Sequence, residues 1–562
     1  MQSTKSLVAK HQETLEQACE AVLKRGHWSP YPEVPSGKYY GETANADGKL
    51  AFEAVLNQRF ELSGPETGAD TEGTFIGEEC SPYGIELGIN YQQHDVDSLI
   101  SSAGAALAGW RNAGAEVRTA VCLEILERLN RRSFEIGYGT MHTTGQGFAM
   151  AFQAAGPHAQ DRGLEAVAQA WLAMEQVPSG SVWHKPQGKH EPFVMRKRYH
   201  VVPRGISLVI ACSTFPTWNT YPGLFASLVT GNPVIIKPHP QAVLPVAITV
   251  QTAQQVLQEF GFDPNLVMMA VDSAANPITQ KLALHCAIRL IDYTGGNSFA
   301  DWLTGNAHQA RLFIEKAGVN SVLIDSVDQV DRVCQNLAFS LCLYSGQMCT
   351  TPQAILIPRD GIDTGNGRIS FYQLADAITS AIEKLLSDPD RAAMILGMIP
   401  SGTTVARLQQ AVNLGRVVLE SKCLPHPEFS AVSYRTPLIL AVEGEERQQW
   451  MQERFGPIAF LVATDGLEQS LSLVEEAISS KGAITLSVYS TDEEVLERAE
   501  QVAIERGVAL SCNLDSGVYV NQSAAFSDYH ATGNNPAANT SLTDMAFVAD
   551  RFAVVQSRRH EV

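Results

Sequence analysis

Apolar residues recur at helical spacing near the start of the chain. Leu15, Cys19, Val22 and Leu23 form one stripe, which predicts a helix over residues 4–26. The residues that follow, up to 94, are rich in Pro, Gly, Tyr and acidic groups, so residues 1–94 read as an extension wrapped on a main body. From Asp95 the pattern changes. D-V-D-S-L-I-S-S-A-G-A-A-L-A-G-W opens with an Asp cap, and R-T-A-V-C-L-E-I-L-E-R-L-N carries apolar residues three and four apart, so long helices open a globular domain here. The segment E-P-F-V-M-R-K-R-Y-H-V-V-P-R-G alternates only in part and mixes β-branched, aromatic and basic residues. It predicts a half-exposed strand with Arg196, Lys197 and Arg198 along a solvated edge.

Strands and helices then alternate. I-S-L-V-I-A-C reads as a buried strand, the stretch through Leu224 and Leu228 as a helix, N-P-V-I-I-K-P as a strand, Ala247 to Phe260 as a helix and L-V-M-M-A-V as a strand. Such alternation implies a mainly parallel sheet, an α/β fold with room for a nucleotide at the carboxyl ends of the strands. No G-x-G-x-x-G follows the first strand, which argues against a standard Rossmann dehydrogenase. The nearest Gly-rich element is Y-T-G-G-N-S-F-A, with Thr294, Gly295 and Gly296, and seen alone it reads first as a plain strand-to-helix turn. A second alternating region from Val319 to Leu510 predicts a second α/β domain: a helix up to Tyr344, the strand A-I-L-I-P, an amphipathic helix through Ile382 and Leu386, and strands near Leu438 and Ile484. The tail A-F-V-A-D-R-F-A-V-V-Q-S-R reads as one isolated strand that closes another domain's sheet or reaches a partner subunit.

Composition narrows the partners. The 562 residues suffice for several domains and a substantial core. The longest apolar stretches, such as Ile206 to Cys212, are far too short to span a bilayer, and the first residues lack an apolar h-region, so a cytoplasmic protein is expected. Ten scattered cysteines without a C-x-x-C pair read as free thiols and give no support for a metal site. A net charge of −19 repels nucleic acid and anionic membrane, so a polyanionic cofactor needs a local basic or amide-rich pocket.

Two residues carry the chemistry: Glu315 in I-E-K-A-G-V-N and Cys349 in Y-S-G-Q-M-C-T-T-P-Q. A thiolate adds to a carbonyl carbon, and a carboxylate nearby activates the water that later releases the acyl group. That pairing points to an oxidoreductase with a thiol nucleophile.

These segments, with F-P-T-W-N-T-Y-P, V-I-I-K-P and E-R-F-G-P, stand in the order found in the aldehyde dehydrogenase superfamily, which the chain resembles from about residue 95 to its end. The resemblance implies a fold with a Rossmann-type cofactor domain over 95–317, including a β-hairpin near 184–202, a catalytic domain over 318–525, and a segment 526–562 that completes the cofactor domain and supplies an oligomerisation strand. It implies that Cys349 is the nucleophile, Glu315 the general base and Asn219 an oxyanion donor. By the same resemblance Lys237 holds cofactor ribose and phosphate, Thr294, Gly295 and Gly296 line the cofactor, and Glu453 and Phe455 contact its nicotinamide side. What lowers the pKa of Cys349 stays open among Lys237, the cofactor's charge and Glu315. Where many members carry a ribose-binding Glu three residues after the lysine, this chain has Pro240 in K-P-H-P. A missing carboxylate and a donor on His239 favour NADP over NAD as cofactor.

A narrower resemblance, carried by H-T-T-G-Q, G-P-H-A-Q-D-R-G-L-E-A-V and S-T-F-P-T-W-N-T-Y-P-G-L-F-A-S-L, is to phenylacetic acid degradation proteins of the PaaN type, in a form without a fused hydratase domain. It implies that the partner is a small-molecule aldehyde, a semialdehyde of phenylacetyl-CoA catabolism, either free or CoA-linked, and that the protein is a homodimer or homotetramer. Two rivals remain: an acylating dehydrogenase that passes the acyl group to coenzyme A, against which Glu315 argues, and a catalytically silent binding scaffold. The family's closing G-x-x-K-x-S-G motif is replaced by A-F-S-D-Y-H-A-T-G-N-N-P, so pocket shape cannot be carried over from relatives.

Overall fold

The computed structural model of the protein describes residues 4–65, 74–316, 318–430, 432–519 and 524–560. The first helix, α1 (Thr4–Lys24), buries Leu7, Ala18, Ala21 and Val22. Leu23, which the sequence places on the same stripe, is instead 72% exposed, because the buried face turns toward Ala18 and Ala21. Three helices of the main body follow: α2 (Val96–Asn112), opened by Asp95 accepting the Ser98 N–H; α3 (Ala115–Arg131); and α4 (Pro157–Glu175). The apolar face of α1 packs on α3 and α4, where each fully buried Leu or Val contributes roughly 1.5–3 kcal/mol. His11 Nε2 adds a polar contact at 2.8 Å to Glu124 Oε2 of α3.

A long hairpin, β1 (Gly180–Gln187) and β2 (His190–Pro203), precedes a set of strands and helices: β3 (Ile206–Ile210), α5 (Thr220–Val229), β4 (Val234–Lys237), α6 (Leu244–Glu259), β5 (Val267–Met269), β6 (Ile288–Gly295), α7 (Asn297–Asn306) and β7 (Arg311–Lys316). The five central strands form one parallel sheet in the order β7-β6-β3-β4-β5. Helices cover it, which is why β3, β4 and β5 are buried along their full length and read as continuous apolar runs. The register sets Ile210 beside both Lys237 and Tyr293, and Thr294 beside Glu315. Lys237, Thr294 and Glu315 therefore share the carboxyl-end edge of one sheet.

The extension also grips this sheet's helices. Glu79 accepts the backbone N–H groups of Val243 and, at 2.8 Å, Leu244 at the start of α6, and takes the Tyr91 hydroxyl at 2.6 Å. A carboxylate at a helix N-terminus meets the orphan donors there.

The chain then crosses to a second sheet, with β8 (Ser321–Ile324), α8 (Val330–Cys342), β9 (Ala354–Pro358), α9 (Phe371–Leu385), β10 (Arg416–Leu419), β11 (Leu438–Glu443), β12 (Ile458–Thr464), β13 (Thr485–Tyr489) and β14 (Ala509–Cys512). Its order is β10-β11-β12-β9-β8-β13-β14, parallel except for β10. The tail differs from the single strand read in the sequence. Its first part is a short helix, α10 (Met545–Ala549), and β15 (Phe552–His560) pairs antiparallel with β2 of its own chain along its whole length, making a three-stranded sheet with the hairpin. The tail's apolar residues serve two ends: Phe547 and Val548 go into the core, while Val554 and Val555 lie exposed on the strand. No helix among the described residues is long and apolar enough to cross a membrane.

Candidate active site

Cys349 stands where the first and second sheets approach each other. Helix α8 ends at Cys342, a 3₁₀ turn covers Leu343–Gly346, and Tyr344 and Ser345 both take left-handed backbone conformations, φ 51° and 49°. Gly346 follows at φ 67°, and a Cβ there would lie 2.5 Å from the Gly456 carbonyl oxygen. Only glycine allows this approach, which presses the cysteine loop against the E-R-F-G-P segment. Gln353 ties the same two segments: its Nε2 donates to the carbonyls of Trp450 at 2.9 Å and Gln452 at 3.0 Å, and its Oε1 accepts the Arg454 N–H.

Asn320 fixes the loop from the other side. Its Nδ2 donates to the Cys349 carbonyl at 2.7 Å and the Thr351 carbonyl at 3.1 Å, while its Oδ1 accepts the N–H groups of Ile484 and Thr485. Asn320 ends the same E-K-A-G-V-N segment that carries Glu315, so one short stretch supplies both the carboxylate and the clamp on the thiol's backbone. The motif was legible in the sequence; this second duty was not.

Glu315 leaves the end of β7 and meets Cys349. A third side chain, His530, joins them: its Nε2 lies 3.0 Å from Glu315 Oε1 and 3.7 Å from Cys349 Sγ, and ligand-type atoms of the three residues all lie within 4.8 Å of one another. His530 sits inside the segment that replaces the family's closing motif. That departure was the one sequence signal that could have marked it.

Burial pushes the Cys349 thiol well above its ordinary pKa, and the neighbouring Glu315 charge pushes in the same direction. Neither Glu315 nor Lys237 activates the thiol at rest. Lys237 is engaged elsewhere, with its Nζ 2.6 Å from Asp272 Oδ1 and 2.5 Å from the Pro238 carbonyl. Burial also acts to raise the carboxyl of Glu315, but the His530 charge and hydrogen bond, the Cys349 hydrogen bond and Arg162 more than offset it, so Glu315 lies below its ordinary value. The resting pair is thus a neutral thiol beside a carboxylate able to take its proton.

Asn219 precedes α5. Its Oδ1 accepts the Cys212 thiol at 3.3 Å, and its Nδ2 is buried without a hydrogen-bond partner among the described residues. A buried amide donor left unmatched costs about 1–3 kcal/mol unless something binds to it. Cys212 in turn lies close enough to feel the charge of Glu315, and it bears on Cys349 as well, which places Asn219 in the same neighbourhood.

The cofactor candidates Lys237, His239, Thr294, Gly295 and Gly296 lie at the carboxyl edge of the first sheet, whereas Glu453 and Phe455 lie ahead of β12 of the second. Thr294 and Gly295 end β6, Gly296 leads into α7, and the Tyr293 hydroxyl donates to the Gly296 carbonyl at 3.0 Å. His239 does not offer a free ring nitrogen on its Nδ1 side, since Nδ1 accepts the Gln241 N–H at 3.2 Å. Phe455 has its carbonyl on Arg407 at 2.6 Å, and the Glu453 carboxyl is pushed by burial up to about 7 despite the Arg407 charge.

Two sheets that bring a thiol, a carboxylate and an unmatched amide together define a class of α/β protein whose site suits attack on a carbonyl. Comparison with known proteins places the chain within that class. Residues 88–538 match the aldehyde dehydrogenase family, and the chain belongs to it. An NAD-dependent aldehyde dehydrogenase from Burkholderia multivorans is 53% identical, with a TM-score of 0.96 over 99% of both chains. A 1-pyrroline-5-carboxylate dehydrogenase 2 from Halalkalibacterium halodurans is 22% identical over 84% of this chain and 89% of its own length. The Thermus 1-pyrroline-5-carboxylate dehydrogenase with bound NAD shares the fold, with a TM-score of 0.74 and 17% identity over 95% of this chain and 99% of that one.

Proposed function

We propose that this aldehyde dehydrogenase oxidises a semialdehyde to a carboxylic acid through a thioester on Cys349. The observation that carries the reading is the contact of Cys349 with Glu315 beside the unmatched Nδ2 of Asn219. As the sulfur attacks the aldehyde carbon, the thiol proton goes to Glu315 and the electron pair forms the C–S bond. The oxygen that becomes negative takes a hydrogen bond from Asn219, a type of stabilisation typically worth about 3–4 kcal/mol. When bound, a nicotinamide dinucleotide supplies the acceptor for the hydride lost from that carbon. Glu315 releases the thiol's proton to solvent once the thioester has formed, then takes a proton from water as the water oxygen attacks; the C–S bond breaks, and that proton passes to the sulfur as the acid leaves and the thiol is restored. A carboxylate so placed favours water over coenzyme A as the acyl acceptor.

The residues at the sheet's carboxyl edge fit such a cofactor. They combine a buried lysine with a Gly-Gly turn into a ten-residue helix, and the Glu453 carboxyl comes from the second domain, ahead of β12. We read NAD as preferred. The argument for NADP from Pro240 assumed that no carboxylate stands near Lys237, but Asp272 supplies one from beyond β5 and neutralises the cation that a 2′-phosphate needs. The Burkholderia multivorans relative is described as NAD-dependent.

The substrate we favour is a semialdehyde of phenylacetyl-CoA catabolism, supported by the segments of PaaN type, with the protein acting as a homo-oligomer. The test is formation of reduced nicotinamide with NAD and with NADP across CoA-linked, aromatic and small aliphatic semialdehydes and 1-pyrroline-5-carboxylate, beside Cys349→Ala. Turnover that needs Cys349 and selects the CoA-linked compound supports the whole reading. Selection of 1-pyrroline-5-carboxylate keeps the chemistry and overturns the substrate.

A further inference from the structure

The segment after residue 524 delivers a side chain into the site that the matched motifs do not include. His530 is anchored by its own backbone: its N–H donates to the Leu542 carbonyl at 2.8 Å, and its carbonyl accepts the Leu542 N–H at 2.9 Å. Ala531 then turns the chain at φ 60°. The imidazole is 3% exposed and stands edge to face with Trp218, ring centroids 4.8 Å apart. Backbone and ring are both held, so Nε2 is a fixed point in the site.

That nitrogen faces two partners unequally. At 3.0 Å it makes a full hydrogen bond with Glu315 Oε1, while Cys349 Sγ at 3.7 Å is only a weak contact. Glu315 Oε2 is buried and has no hydrogen-bond partner among the described residues. We propose that His530 is a positioning residue for the reaction: its Nε2–H holds Oε1 of Glu315 beside Cys349 and leaves Oε2 to take a proton, first from the thiol and then from water. In each transfer an S–H or O–H bond breaks, an O–H bond forms on Oε2, and the electron pair stays on the attacking atom; between the two transfers Oε2 gives its first proton up to solvent. The inference rests on the roles proposed above for Cys349 and Glu315.

The groups that bear on Glu315 make this arrangement necessary. Cys349, Cys212, Arg162 and His530 face it from four segments. Burial favours the neutral acid, which cannot accept a proton, and His530 is the largest of the influences that oppose burial. Without the imidazole, the Glu315 carboxyl rises and its basic form appears only at higher pH.

The experiment uses cofactor-free hydrolysis of p-nitrophenyl acetate by the full chain. A burst of p-nitrophenolate reports acylation of Cys349, and the steady rate reports water attack aided by Glu315. In His530→Ala the burst amplitude is expected to persist, the steady rate to fall about ten- to a hundredfold, and the acid limb of the rate profile to move to higher pH. His530→Gln, whose amide N–H can rebuild the bond to Oε1 without a charge, should recover part of the rate. A wild-type steady rate and an unmoved acid limb in His530→Ala overturn the inference and leave His530 as packing. If His530→Ala does not fold, His530→Gln decides alone: an acid limb and a steady rate equal to wild type overturn the proposal, and a shifted limb supports it. Failure of the underlying reading looks different: a burst that survives Cys349→Ala, or deacylation untouched by Glu315→Gln, removes the roles on which His530 acts.

Discussion

Lys237 Nζ lies 2.6 Å from Asp272 Oδ1, with both side chains buried. The pair cancels the charge of the lysine proposed to face the cofactor, and Asp272 holds its place by accepting the Ile278 N–H at 2.9 Å on its other oxygen. Replacing the carboxylate uncovers the cation. Asp272→Asn is expected to raise kcat/KM with NADP about tenfold relative to NAD, an effect of roughly 1.4 kcal/mol. Steady-state rates with the two cofactors measure it, and an unchanged ratio means that the pair does not set the preference.

In the proposed mechanism Asn219 acts through a donor that no described residue uses at rest. Asn219→Ala should lower kcat about 10²- to 10³-fold. Alkylation of Cys349 by iodoacetamide in the absence of substrate should proceed as in wild type, because the amide serves the oxyanion and not the thiol. A parallel loss of alkylation would show instead that the substitution had disturbed the cysteine loop through Cys212.

Glu315→Gln keeps the size of the side chain and removes its ability to accept a proton. Acyl transfer to Cys349 should slow, and whatever thioester forms should persist, visible as an added acyl mass on the intact chain. Rapid turnover with no trapped acyl mass would transfer the base role to another group, and His530 is the nearest candidate.

Much of this arrangement was legible in the chain because it is local. Buried parallel strands appear as apolar runs; the short segments around Asn219, Lys237, Thr294 and Glu315 stand at or just beyond their carboxyl ends, and that of Cys349 lies in the loop that leads from α8 into β9. What escaped was contact between distant segments. His530 stands 215 residues from the Glu315 it touches, and no periodicity links them. Asp272 is a solvated loop residue by composition, and only the β4–β5 pairing brings it onto Lys237. The K-P-H-P turn lacks a carboxylate of its own, and the loop after a neighbouring strand supplies one. The tail shows the same limit: its alternation suggested a strand, whereas pairing with β2 and the helix at Met545–Ala549 depend on partners far away in sequence.

Glu453 predicts a dependence of stability on pH. Its carboxyl is pushed up to about 7, mainly by burial. Between the ordinary carboxylate range near 4.5 and about 7 the folded protein therefore binds a proton that the unfolded chain has released. This group's contribution makes folding less favourable as pH rises through that window and adds no further penalty above it. Glu453→Gln should remove the penalty, so its thermal midpoint should exceed that of wild type above pH ~7 and converge on it below pH ~4.5. A constant difference across the range would assign the effect to packing.

The C-terminal segment is pinned by a buried cation. Arg551 is fully buried, and its guanidinium donates to both oxygens of Asp292, at 2.6 and 2.8 Å, and to Ser227 Oγ at 2.7 Å, while its Nε donates to the Phe547 carbonyl at 3.0 Å. The rings of Phe313 and Phe547 lie 4.0 and 4.1 Å from its Cζ. Asp292 is on β6, two residues before Thr294, so this pair joins the tail to the strand that carries the cofactor turn. Burying both charges costs several kcal/mol, which the bidentate geometry and aromatic faces offset. Removing one partner leaves the other uncompensated. Arg551→Met is expected to destabilise the protein by about 3–5 kcal/mol. Arg551→Met with Asp292→Leu should recover much of that loss by removing the stranded carboxylate. Thermal unfolding of the two variants checks the prediction: if the double variant is no more stable than the single one, packing around Arg551, rather than its charge, holds the tail in place.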